Sequence, residues 1–171
     1  DSEAGYGEIF RESSMREKLF INTKVSLFDN NHRKMYTQIF ESLSPEEQKT
    51  FQRRADDILE ERETLADDYL GRYGPWQEPA AREAALCAAL SEKYSQKFDR
   101  RKEYYQFIIN SVEQSLKKLQ TDYIDQVMCP HGADTPEEVN IPEVFEAYEK
   151  LHQDGKVRFL GFSAHTDPAG A

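Results

Sequence analysis

The sequence predicts an α/β fold with parallel strands, on three observations. Near the C-terminus a strand-like run, a helix and a second strand-like run follow one another through short loops, at Tyr123–Met128, about Pro142–Gln153 and Val157–Phe162. Much earlier, Leu19–Val25 is an apolar run that ends in polar residues, as a buried strand does where it emerges at a sheet edge. Between them lie long segments with apolar residues at helical spacing. Strand, helix and strand joined by short loops imply parallel pairing and a right-handed crossover.

In chain order, a short helix is expected at about Glu8–Arg16, ahead of the first strand. Ser44-Pro45-Glu46-Glu47 is a capping box with Pro at the first helical position, and it opens a helix to about Leu70. Phe51, Ala55, Ile58, Leu65 and Tyr69 mark its apolar face, and Gly71-Arg72-Tyr73-Gly74-Pro75 breaks it. Ala80, Ala84, Cys87, Leu90, Tyr94 and Phe98 mark a second helix; Tyr105, Ile108, Val112, Leu116 and Leu119 mark a third that leads into the next strand, either continuous with the second or broken from it. An antiparallel helical hairpin, each helix covering the other's stripe, is the economical arrangement. The strand Tyr123–Met128 is closed by Cys129-Pro130-His131-Gly132, and Thr135–Glu138 is a further capping box. Asn140 is an alternative cap for the helix over Pro142–Gln153, which Gly155 stops before the last strand.

Composition excludes several classes. The 171 residues carry 22 Lys+Arg and 32 Asp+Glu, a net charge of −10, which argues against a nucleic-acid backbone as partner. Residues 41–72 hold ten acids and five bases, a charge run that most often marks a solvated helix face. The longest run of the apolar set, Ala84–Leu90, is far short of a membrane span, so no membrane partner is expected. Cys87 and Cys129 have no second Cys at metal spacing and read as small buried hydrophobes, in keeping with a reducing compartment. The default location is cytoplasmic, with an exported form left open as the alternative.

Functional groups in parallel α/β folds sit where strands end. Those positions hold Lys24 after the first strand, His131 after the second, and Ser163 and His165 after the third. Asp1 and Tyr6 stand ahead of the first helix, where a preceding strand would end. Each has a plainer reading singly: a solvated lysine, a turn histidine, a packed tyrosine. As an ordered set at successive strand ends they suggest one shared mouth.

Asp1-Ser2-Glu3-Ala4-Gly5-Tyr6-Gly7 resembles the aldo-keto reductase signature, in which an Asp is followed five residues later by Tyr-Gly. Thr23-Lys24 is similar to that family's strand-ending lysine, and Ser111–Leu119 with Thr121–Asp125 to its central motif. His131-Gly132 follows where the active-site histidine belongs, and Gly155–Arg158 with Gly161-Phe162-Ser163 completes the order. The resemblance covers residues 1–28 and about 101–167. It implies a (β/α)8 (TIM) barrel, which in full needs ~250 residues, so a partial barrel of about three strands is expected here. On this reading the chain runs from the end of the second strand to just past the fifth; its unpaired edges make it a poor candidate for independent folding, and the isolated fragment is expected to be inactive. Residues 1–28 and 101–171 are the barrel portion, and 29–100 are a helical insertion after the third strand.

The resemblance further implies reduction of an aldehyde or ketone, or oxidation of the alcohol, by hydride transfer with a nicotinamide cofactor. NADP(H) is favoured over NAD(H), the substrate is a small carbonyl compound, and no metal is required. Tyr6 is the implied proton donor. A phenol ordinarily releases its proton only near pH 10, and an adjacent ammonium, Lys24, favours the phenolate. Asp1 holds Lys24 charged and oriented, and His131 polarises the carbonyl oxygen. Asp1, Ser163 and His165 are the implied cofactor contacts. Here the chain departs from the family: Ser163-Ala164-His165 replaces the frequent Ser-Asn, leaving His165 to take over the amide contact, and Ser2-Glu3 replaces the common Thr-Ala. The alternative is a catalytically silent barrel whose acidic helical insertion binds a protein partner. A third reading, metal-dependent hydrolysis by His131 and His165 with a carboxylate, is weaker: their spacing suits no compact metal motif and Lys24 would repel the cation.

Overall fold

The computed structural model describes residues 2–12, 14–27, 31–63, 78–133 and 136–164. In chain order they form α1 (Ser2–Glu12), β1 (Asn22–Lys24), α2 (Arg33–Ser42), α3 (Pro45–Glu61), α4 (Glu78–Tyr94), α5 (Phe107–Leu119), β2 (Ile124–Ala133), α6 (Pro136–Val139), α7 (Pro142–Gln153) and β3 (Val157–Ala164). The chain divides into two compact units, one made of Asp1–Leu27, Arg100–His131 and Ile141–Ser163, the other of the remaining described residues.

The first unit is built on a sheet with strand order β1-β2-β3. β1 and β2 are parallel, in the register Asn22↔Gln126, Thr23↔Val127, Lys24↔Met128. The direction of β3 follows from its two ends. Ile124 N donates to Lys156 O at 2.8 Å as both strands begin, and the side chains of His131 and Ser163 meet near where both finish. The sheet is therefore parallel throughout, as the strand–helix–strand pattern requires. Asp125, Val127 and Cys129 are buried beside the helices, whereas the alternate residues Gln126 and Met128 are half-exposed on the other face. Ile108 of α5 and Val144 and Leu151 of α7 close over Val127, Cys129 and Val157, all of them buried. Burying each such aliphatic side chain contributes about 1.5–3 kcal/mol.

Helix ends follow local chemistry. α7 closes with Gly155 at φ 72°, Lys156 N donating to Leu151 O and Gly155 N to His152 O, both at 2.9 Å. This pair of bonds satisfies the terminal carbonyls and requires a left-handed residue, which glycine adopts at little cost. α5 ends the same way, with Gln120 in the left-handed position at φ 51°.

The second unit packs α2, α3 and α4 around Tyr36, Phe51, Ala55, Ile58, Ala85, Leu90 and Tyr94. α3 and α4 are antiparallel: Glu47 reaches Lys93, Arg54 reaches Glu92 and Asp56 reaches Arg82. The run of small residues on α4, with Ala81, Ala84, Ala85, Ala88 and Ala89 all buried, lets neighbouring backbones approach closely. Ser44 caps α3 as expected, accepting from Glu47 N while the Glu47 carboxylate accepts from Ser44 N. That exchange holds the Glu47 carboxyl below its ordinary range.

Several expectations are corrected. α1 begins at Ser2 instead of Glu8, so Tyr6 lies inside a helix and not ahead of one. Within that helix Gly7 serves close packing: a Cβ there would stand 2.1 Å from the Lys118 carbonyl oxygen. β2 continues to Ala133 through Pro130, because β1 pairing ends at Met128 and the missing N–H of Pro130 costs no bond to that strand. Ile141, not Asn140, stands at the cap of α7, and Pro142 in the first turn needs no donor partner. α3 stops at Glu61, where Glu63 turns left-handed at φ 52°; Leu65, Tyr69 and Gly71–Pro75 lie outside the described residues, as does Thr135. The second and third helices are separate, divided by a 3-10 turn at Ser95–Lys97 and a π-helical turn at Arg101–Gln106. In that wider turn Tyr104, not Tyr105, takes the buried place. Finally, α2 adds a third helix to the hairpin, although Tyr36, Ile39, Phe40 and Leu43 carry the helical period.

Candidate active site

Parallel order brings three of the singled-out side chains to one end of the sheet. Lys24 is the last residue of β1, while His131 and Ser163 lie near the C-terminal ends of β2 and β3. Lys24 is exposed, and His131 and Ser163 are half-buried. His131 Nδ1 and Ser163 Oγ are 2.7 Å apart, a hydrogen bond across the strand ends.

Tyr6 is half-exposed at 48% and stacks on Phe10 with ring centroids 6.0 Å apart. It lines a concavity of about 500 Å³ between α1 and β1, together with Glu3, Phe20, Ile21, Thr23 and Lys24. The phenol and the ammonium thus share one recess. Glu3 and Tyr6 are three residues apart on α1 and so share a helical face. Thr23 Oγ1 donates to Glu3 Oε1 at 2.6 Å, and Lys118 Nζ lies 3.8 Å from Glu3 Oε2. This carboxylate ties α1 to the strand that carries Lys24. The sequence holds the signal for it in the acid replacing a common alanine, on the same helical face as Tyr6. Asp1 and His165 lie outside the described residues.

At the other end of β2, Asp125 anchors the sheet. Its carboxylate accepts from Arg16 at 2.9 Å, Arg158 at 2.8 Å and Ile21 N at 2.9 Å. Both guanidinium groups stack on Tyr123, at 3.9 and 4.2 Å from the ring centre. Burial pushes the Asp125 carboxyl up, but these hydrogen bonds and charges outweigh it, and the group stays below its ordinary range. Among the described residues no cluster of three or more His, Cys, Asp or Glu is placed to hold a metal. No helix among them is long and apolar enough to cross a membrane.

A model of the Aldo/keto reductase family matches residues 1–169. The chain belongs to the aldo/keto reductase family. Three parallel strands crossed by helices are consistent with part of the (β/α)8 barrel that this family implies. The chain is 43% identical over 58 residues to Uncharacterized oxidoreductase YqkF of Bacillus subtilis (strain 168), covering 34% of this chain and 18% of that protein. It is 44% identical over 59 residues to Oxidoreductase YdhF of Escherichia coli (strain K12), covering 34% and 19%. It is 30% identical over 100 residues to L-galactose dehydrogenase of Arabidopsis thaliana, covering 58% and 30%. The matched segments thus span from about a fifth to a third of these relatives' lengths. No solved structure matches the chain.

Proposed function

We propose that the protein carrying this aldo/keto reductase chain reduces an aldehyde or ketone, or oxidises the alcohol, using NADP(H) in preference to NAD(H). The observation that carries the proposal is the placement of Lys24, His131 and Ser163 at one end of a parallel sheet, with Tyr6 in the same recess as Lys24.

When bound, a nicotinamide cofactor supplies the hydride. Ser163 suits its carboxamide, because a hydroxyl keeps acceptor capacity while its hydrogen is engaged elsewhere. Asp1 and His165 complete the proposed contacts. As negative charge grows on the carbonyl oxygen, Tyr6 gives it the hydroxyl proton, and the Lys24 ammonium stabilises the phenolate left behind. His131 would offer a ring N–H to the same oxygen. Glu3, through Thr23, holds α1 and the end of β1 in register, which fixes the Tyr6 helix relative to the Lys24 strand.

Residues 29–100 are proposed as an insertion after the family's third strand that shapes substrate choice. Connections after barrel strands emerge on the active-site side, which supports the reading. Deleting the insertion from the complete reading frame tests it: a changed substrate profile is expected, and an unchanged one removes the role.

The experiment for the main proposal follows NADPH consumption by the complete reading frame with a panel of aldehydes and ketones, for wild type and Tyr6→Phe. Turnover in wild type that falls by two or more orders of magnitude on loss of the hydroxyl is expected, in line with ~10²–10⁴-fold for a general acid. Equal turnover in both proteins overturns the role of Tyr6. No turnover and no cofactor binding in wild type overturns the proposal as a whole.

A further inference from the structure

We infer that Ser163 is a positioning residue that fixes the ring plane and tautomer of His131, its hydroxyl donating to Nδ1 so that Nε2 carries the proton. The choice of tautomer rests on the reductase reading above; the pairing of the two side chains stands on geometry alone. Strand register delivers the two groups. Ile124 bonds to Lys156 where β2 and β3 begin, and His131 and Ser163 each lie seven residues further along. Their approach to 2.7 Å is thus a property of the sheet, not of a loop.

Two proton arrangements satisfy that distance. In one the hydroxyl donates to a bare Nδ1, and the ring hydrogen sits on Nε2. In the other Nδ1–H donates to the hydroxyl oxygen, and Nε2 presents a lone pair. Only the first offers a donor to an oxygen that becomes negative; the second sets a lone pair against it. The first also uses only the hydrogen of Ser163, so the same oxygen accepts an amide N–H from a nicotinamide without releasing His131. One hydroxyl thereby couples the group that holds the cofactor's amide to the group that polarises the substrate, and the serine in Ser163-Ala164-His165 has a second task.

The test reads nitrogen chemical shifts of 15N-histidine in the complete reading frame without cofactor, with His131 assigned by its loss in His131→Gln. Wild type is expected to show the Nε2–H tautomer. Ser163→Ala is expected to show mixed tautomers, and Ser163→Thr, which keeps a hydroxyl, to restore the wild-type pattern. In parallel, kcat is expected to fall up to about tenfold in Ser163→Ala, the equivalent of one hydrogen bond lost, and to recover in Ser163→Thr. An Nδ1–H tautomer in wild type, or an unchanged tautomer in Ser163→Ala, overturns the inference. The expected tautomers without NADPH-dependent turnover uphold the positioning role and overturn the reductase reading, so the two failures are distinct.

Discussion

Replacing Asp125 by Ala tests what holds the strand starts together. The carboxylate is buried, as is Arg16, which also donates to Leu19 O, Tyr123 O and Thr121 Oγ1. Removing the acid leaves a buried guanidinium without its counter-charge, and the expected loss is about 3–5 kcal/mol. Arg158 bonds the same carboxylate, but its side chain is 55% exposed, so water screens it and Arg158→Ala is expected to cost less than about 1 kcal/mol. Denaturant unfolding of the complete reading frame measures both. A loss below 1 kcal/mol for Asp125→Ala, or equal losses for the two variants, refutes the reasoning. The pH dependence adds a sign. Because the native carboxyl titrates below its ordinary value, its contribution is fully present above the unfolded-state pKa and lost as pH falls through the native one. The stability gap between wild type and Asp125→Asn is expected to be constant above about pH 5 and to shrink below about pH 4. A gap that closes already at pH 6, or persists undiminished at pH 2, contradicts that assignment.

Three further outcomes are expected. Gly7→Ala drives a methyl against the Lys118 carbonyl and lowers stability by about 1–3 kcal/mol, read as a reduced thermal midpoint; a neutral result means α1 and α5 do not approach as described. Gln120→Gly relieves a left-handed non-glycine residue and raises stability by about 0.5–1 kcal/mol in denaturant titration, with a loss arguing against that turn. Burial pushes the Cys87 and Cys129 thiols up to about 12, Glu138 and Glu83 adding to the effect at Cys87. Peptide mapping after alkylation at pH 8 is therefore expected to find both unmodified until the protein is unfolded, and rapid native labelling contradicts their burial.

Local signals that need only a few neighbouring residues were legible. The Ser44 capping box, Gly155 after α7 and the extent of Pro142–Gln153 are dictated by bonds within one turn. The last strand and the polar end of the first were legible because apolar runs bounded by turn residues have few alternatives. Of the candidate site, the strand-end positions of Lys24, His131 and Ser163 are legible from the apolar runs that precede them, and the family from the order of its motifs.

Local cues mislead where distant contacts override them. Tyr6 looks as if it stands ahead of a helix until Gly7 is seen packed against the Lys118 carbonyl within one, and Pro130 looks like a strand end until β1 is seen to have stopped at Lys24. Tyr104 replaces Tyr105 in the core because the turn before α5 is π-helical, which no residue in it announces. The sequence by itself determined the α/β class, the strand ends and the chemistry available at them, since periodicity, caps and motif order are properties of neighbouring residues. Only the tertiary structure decided that Thr23 bonds to Glu3, that Asp125 gathers Arg16 and Arg158, and that Ser163 meets His131. Those contacts join residues between 20 and 109 positions apart, and strand register and helix packing, not any local pattern, set which of them touch.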